Sequence, residues 1–155
     1  MGYYTEIIFG ARLKMTTPKN IIDTLRYVAN YGLETIASPT NLESEDPVVA
    51  VENKLIEEYD LWSVMRGSSY YFGVCEAVTK MFYDNTTKEW ILSVRANCRS
   101  AGRLERFTEW LRPYVKYGMG DSDIFSIITT EDGYPIMYGL RGTFSTIAIP
   151  RDEQE

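Results

Sequence analysis

The sequence predicts an α+β fold, a two-layer sandwich in which two principal helices cover a mainly antiparallel sheet. Three observations lead there. Stretches such as 3–14 and 90–98 alternate apolar and polar side chains, the period of a half-buried strand. Two longer stretches instead repeat apolar residues at three-and-four spacing, the period of a helix with one buried stripe. The order is strand, helix, short helix, three strands, helix, three strands, which favours hairpins over βαβ repeats. Its strand–helix–strand–strand–helix–strand part matches a ferredoxin-like core, with a C-terminal hairpin extending the sheet. At 155 residues the chain fits one domain over 1–150, followed by a charged tail at 151–155.

The first strand runs from Tyr3 to Lys14, with Ile7, Phe9, Ala11 and Leu13 on one face and Glu6, Ile8, Arg12 and Lys14 on the other. Thr17-Pro18 supplies an N-cap and a first-turn proline. The helix that follows carries Ile21, Ile22, Leu25, Val28 and Ala29 as one stripe, and Gly32 is its expected stop. Residues 34–46 read as an acidic loop. Asp46-Pro47 repeats the cap-plus-proline signal before a short helix at 48–58, and the apolar run Leu61–Met65 fits helix or strand. Strands are expected at Ser69–Phe72, Ala77–Tyr83 and Trp90–Cys98, with Asp84–Thr87 as a turn. A second long helix spans about 100–116, with Leu104, Phe107, Trp110 or Leu111, and Tyr114 inward. Strands at 124–130, 134–140 and 143–149 complete the chain.

Composition excludes several chemistries. The chain has no histidine, which removes Ser-His-Asp and Cys-His nucleophile systems, histidine zinc sites and imidazole acid–base work. It has no P-loop and no dinucleotide-binding fingerprint, and Gly118-Met119-Gly120 reads as a helix stop. Asp121-Ser122-Asp123 lacks the supporting oxygens of a cation loop and reads as a solvated turn. No catalytic residue, cofactor or metal is therefore expected. The start Met1-Gly2-Tyr3-Tyr4 lacks the basic opening of a secretory leader, and no run reaches the roughly 18 apolar residues of a membrane span. The expectation is a cytoplasmic protein with Cys75 and Cys98 reduced.

Charge is unevenly spread. The net charge is −6, which argues against nonspecific nucleic-acid binding. Residues 34–60 hold eight acids and one lysine, whereas 88–116 hold seven basic residues and three acids. Arg95, Asn97 and Arg99 stand in one row of the 90–98 strand and its exit, Arg103 follows on the helix with Arg106, and Arg12 can lie alongside on the first strand. Arginine forks beside an amide hold phosphate or carboxylate well. The same groups can instead meet the acidic segment, within one subunit or across a homodimer. Tyr70 and Tyr71 face opposite sides of their strand, so one of them points outward. There it can stack a base, anchor a partner or simply cover a sheet edge.

Gly2-Tyr3-Tyr4-Thr5, the block Ser68-Ser69-Tyr70-Tyr71-Phe72, the strand Trp90-x-Leu92-Ser93-x-Arg95-x-Asn97 and the helix Glu105-x-x-x-Glu109-Trp110-Leu111-x-Pro113-Tyr114 resemble a family of small phage and prophage proteins. The resemblance covers roughly the first 115 residues in order and implies provenance without an established activity. The chain departs from the family pattern at Ala96, where a typical member has Cys, and at Cys98–Gly102. Two functions are expected from these features. The first is a non-enzymatic phage-type accessory protein that binds and modulates a host protein, such as a component of a defence system. The second is a binder of a nucleotide or other small anion through Arg95, Asn97 and a tyrosine.

Overall fold

The computed structural model describes residues 4–31, 54–68, 77–130 and 133–145. Seven strands form one sheet: β1 Thr5–Leu13, β2 Val78–Asp84, β3 Glu89–Cys98, β4 Val115–Tyr117, β5 Ile124–Thr130, β6 Ile136–Gly139 and β7 Thr143–Ser145. Their order is β2-β3-β1-β5-β6-β7, with β4 paired to the end of β1. Every pairing is antiparallel. Helices α1 Lys19–Ala29, α2 Leu61–Arg66 and α3 Ala101–Leu111, with residues 54–58 also helical, complete the described elements together with 3-10 turns at Arg112–Tyr114 and at Met119–Asp121, the latter after β4 where a helix stop was expected. The inner order β2-β3-β1-β5, with α1 and α3 as its two connections, is the expected ferredoxin-like core. The β6–β7 hairpin widens the sheet beyond β5.

Alternation along β1 and β3 sets the layers. Ile7, Phe9 and Ala11 stand opposite Ala96, Val94 and Leu92, and Leu13 opposite Val115, on the face that the helices cover, and all are buried. Leu25 and Val28 of α1, Val64 and Met65 of α2, and Leu104, Phe107 and Leu111 of α3 close on them. Phe9 lies at the centre, 5.4 Å from the Phe107 ring and 5.6 Å from the Phe125 ring. Burying one such ring removes enough apolar surface from water to contribute on the order of 2–3 kcal/mol. Behind them, the Thr108 and Ser126 hydroxyls satisfy each other at 3.0 Å.

Several boundaries differ from expectation. Pro18, not Thr17, occupies the N-cap of α1, and the Thr17 hydroxyl donates to the Lys14 carbonyl at 2.6 Å instead. The Leu61–Met65 run is helical. It starts after Asp60 in the left-handed region (φ 49) and stops at Gly67, whose missing side chain leaves room for the Asn97 carbonyl. Arg66 then donates to the carbonyls of Val28 and Ala29, where a cation also suits the negative end of α1. The second long helix ends at Leu111, five residues short of expectation. Pro113 has no N–H for the next helical bond, so the chain tightens into a 3-10 turn at Arg112–Tyr114 and leaves as β4. Ser100 does cap α3, accepting from the Arg103 amide at 3.3 Å. Gly32, the strand expected at 69–72, the acidic loop 34–46 and the tail 151–155 fall outside the described residues.

One side of the sheet edge is closed by a side chain. Asn30, just past α1, donates to the Met81 carbonyl at 2.7 Å and accepts from the Met81 amide at 2.8 Å. Its amide thus stands where a further strand would pair with β2.

Candidate functional site

The face of the sheet turned from the helices carries part of the expected arginine row. Because Leu92, Val94, Ala96 and Cys98 are buried against the helices, Ser93, Arg95 and Asn97 must point the other way. There Arg95 stands opposite Ile8, and Asn97 opposite Glu6. The Arg95 Nε lies 3.8 Å from a Glu6 carboxylate oxygen. Just beyond the strand, the Arg99 guanidinium sits 5.3 Å over the Tyr4 ring and also donates to the Tyr4 hydroxyl. Asn97 is only 2% exposed, and neither its Oδ1 nor its Nδ2 has a hydrogen-bond partner among the described residues.

The remaining members of the row are elsewhere, which corrects the expectation that all could converge. Arg103 and Arg106 ride on α3, on the opposite side of the sheet from Arg95. Arg103 Nη1 is 2.6 Å from an Asp60 carboxylate oxygen. Arg106 donates to the Glu58 carbonyl at 3.0 Å and to its carboxylate at 3.2 Å. Its guanidinium also lies 5.1 Å over the Tyr59 ring, which stacks on Trp110 at 4.1 Å. Where the acidic segment is described, the two charged poles therefore meet inside one subunit.

Arg12 is also separate. It stands opposite Ile91, four residues along β3 from Arg95, a displacement of roughly 13 Å. Its guanidinium is 3.0 Å from Asp84 and 3.7 Å from Glu89, and the Lys116 ammonium lies 2.8 Å from the second Glu89 oxygen. The hydrogen bond from Arg12 holds the Asp84 carboxyl below the usual carboxylate range, helped by the Thr86 amide. The hydrogen bond from Lys116 lowers Glu89 despite the opposing cost of its burial, and raises Lys116 in return. This network ties the β2–β3 hairpin to β4.

Tyr70 and Tyr71 lie outside the described residues, as does Cys75. Cys98 is buried, and burial pushes its thiol up, which disfavours the reactive thiolate. Among the described residues no group of three His, Cys, Asp or Glu side chains is placed to hold a metal ion. Among the same residues no helix is long and apolar enough to cross a membrane.

Two surfaces emerge that the arginine-centred reading did not include. One is the apolar content of the sheet face opposite the described helices: Val78, Phe82, Ile8 and, on the far edge, Phe144. Strand alternation already signals Ile8, Val78 and Phe82, since each is out of phase with the buried positions of its own strand. The other is a cleft beside Trp90, made by the approach of α1 to the β2–β3 hairpin. No local pattern encodes that approach. Compared with protein-family models, with curated proteins and with solved structures, the chain matches none.

Proposed function

We infer that the protein is a phage-type accessory protein without catalytic machinery, which works in the cytoplasm of a bacterial host by docking onto a host protein. A component of a defence system is the target class that such an inhibitor suits. The observation that carries the reading is the sheet face opposite the helices. Val78 is 66% exposed, Phe144 51% and Phe82 42%, and Ile8 joins them. Large apolar side chains on one face are the usual centre of a protein interface, with polar residues as its rim. Lys80 and Arg95 flank the group, and the Glu6 carboxylate is taken up by Arg95. The partner that fits is therefore a protein surface with an apolar centre bordered by carboxylates.

An anion site made from Arg95, Asn97, Arg99, Arg103 and Arg12 has less support. Arg103 and Arg12 are ion-paired away from Arg95, and Arg95 itself faces Glu6.

The test compares tagged wild-type protein with a Val78→Glu/Phe82→Glu variant in host lysate. Wild type should recover a stoichiometric partner that the variant loses while melting at the same temperature. Equal recovery by both, or no stoichiometric partner across several hosts, would remove the proposal.

A further inference from the structure

The cleft between α1 and the β2–β3 hairpin has a volume of about 440 Å³, within the range of small-molecule sites. Tyr83 and Trp90 form its aromatic wall, with their rings edge-to-face at 5.2 Å. Arg26 lies 5.2 Å over the Trp90 ring, which fixes a guanidinium plane beside that wall. Lys14, Lys19 and Lys88 also line the cleft. The lining acids are already engaged. Asp23 is 3.4 Å from Lys19, and Glu89 faces Arg12 and Lys116. In a chain of net charge −6, this hollow is locally positive.

A second observation comes from the backbone. Lys88 closes the hairpin turn with φ 61, its amide donating to the Asp84 carbonyl at 2.7 Å. Glycine or asparagine takes this left-handed conformation easily, whereas a lysine there is strained. Strained backbone positions cluster at ligand-binding sites, and the Lys88 side chain lines the cleft.

We propose that this cleft is a nucleotide site, with the base stacked at the Tyr83–Trp90 wall and the phosphates held by Lys14 and Lys88. Aromatic rings accept any base through its π-face, and clustered cations accept the phosphate. The inference uses none of the residues of the proposed docking face and stands independently of it. The ligand can be a free nucleotide or one unit of a short single strand, since both present the same base and phosphate.

The test is a titration of the whole protein with adenosine triphosphate, adenosine, inorganic triphosphate and a short oligothymidylate, followed by tryptophan fluorescence. Adenosine triphosphate or the oligothymidylate should bind at least about tenfold tighter than adenosine or inorganic triphosphate alone. Preference for adenosine triphosphate identifies a free-nucleotide pocket. Preference for the oligothymidylate, weakening steeply with salt, identifies a strand-binding groove. Lys88→Gly should weaken binding about tenfold while raising the melting temperature, because it relieves the turn. Loss of affinity together with gained stability cannot come from misfolding. Lys14→Ala, on an exposed side chain, should weaken binding without changing melting. Inorganic triphosphate binding as tightly as the nucleotide would overturn the proposal. So would undiminished affinity in Lys88→Gly, or the absence of binding by every probe at millimolar concentration.

Discussion

The two faces of the sheet are built from the same strands yet obey different rules. On the helix side, Phe9, Val94 and Leu92 belong to one buried core with residues of three helices, and the Thr108–Ser126 hydroxyl pair satisfies its own polar groups. On the other side, Ile8, Phe82 and Val78 are left in water, Arg95 meets Glu6 at long range, and the Asn97 amide is buried without a described partner. The first face is over-determined by packing and serves stability. The second is under-determined, and its composition is set by something other than the fold.

Four experiments would break or sharpen that contrast. The largest effect belongs to the packed side. Phe9→Ala should lower unfolding free energy by about 3–5 kcal/mol in denaturant melts, whereas Phe82→Ala should stay within about 0.5 kcal/mol. Near-equal values would erase the distinction. Next, Asn97→Leu should raise stability by about 1 kcal/mol, because it removes a buried amide that lacks a partner. Thr108→Val on the packed side should lower it by about 1–3 kcal/mol, since Ser126 is then left unpaired. The same sign for both would contradict the stated environments.

A smaller effect comes from acid. Asp84 and Glu89 are held below the ordinary carboxylate range, so at falling pH the folded protein takes up its protons later than the unfolded chain. Their contribution is present above the unfolded values near about 4 and fades as pH drops through the lower folded values. Glu89→Gln should flatten the decline of melting temperature below about pH 4, and an unchanged profile would show that the network does not couple to folding. The smallest effect is at Arg103. Its pair with Asp60 is solvent-exposed, so Arg103→Ala should cost under about 1 kcal/mol, less still in high salt. A salt-independent loss would mean that its stem packs rather than that its charge pairs.

Much of this architecture was legible because hydrophobic phase is local. The buried apolar positions of β1 and of the middle of β3, Leu92 to Ala96, alternate, and the stripe Ile21, Ile22, Leu25, Val28 and Ala29 could serve only as a helix face. Leu61–Met65 was ambiguous because five residues cannot distinguish periods of 2 and 3.6 when nearly all are apolar. The left-handed turn at Asp60 and the stop at Gly67 resolve it. The early end of α3 was available in Pro113 but outweighed by the apolar spacing that continues to Tyr114.

The arginine row is split across the sheet for a reason also present in the sequence. Leu92, Val94 and Ala96 must face the helix carrying Leu104 and Phe107, so Arg95, one residue out of phase, had to face away from Arg103 and Arg106. The Trp90 cleft was not legible at all. Arg26 is far in the chain from Lys88 and Trp90, and only the packing of α1 on the hairpin edge joins them.

The Asn30 amide has a consequence for how the molecule behaves in a crowd. By occupying both hydrogen-bonding groups of Met81, it acts as a one-residue counterfeit strand, and a neighbouring chain that tries to add itself along that border meets a plug. Opening the border by Asn30→Ala would free those two groups for a visiting backbone. Filament growth, ordinarily a hazard of any open sheet, is thereby discouraged at this margin by a single carboxamide.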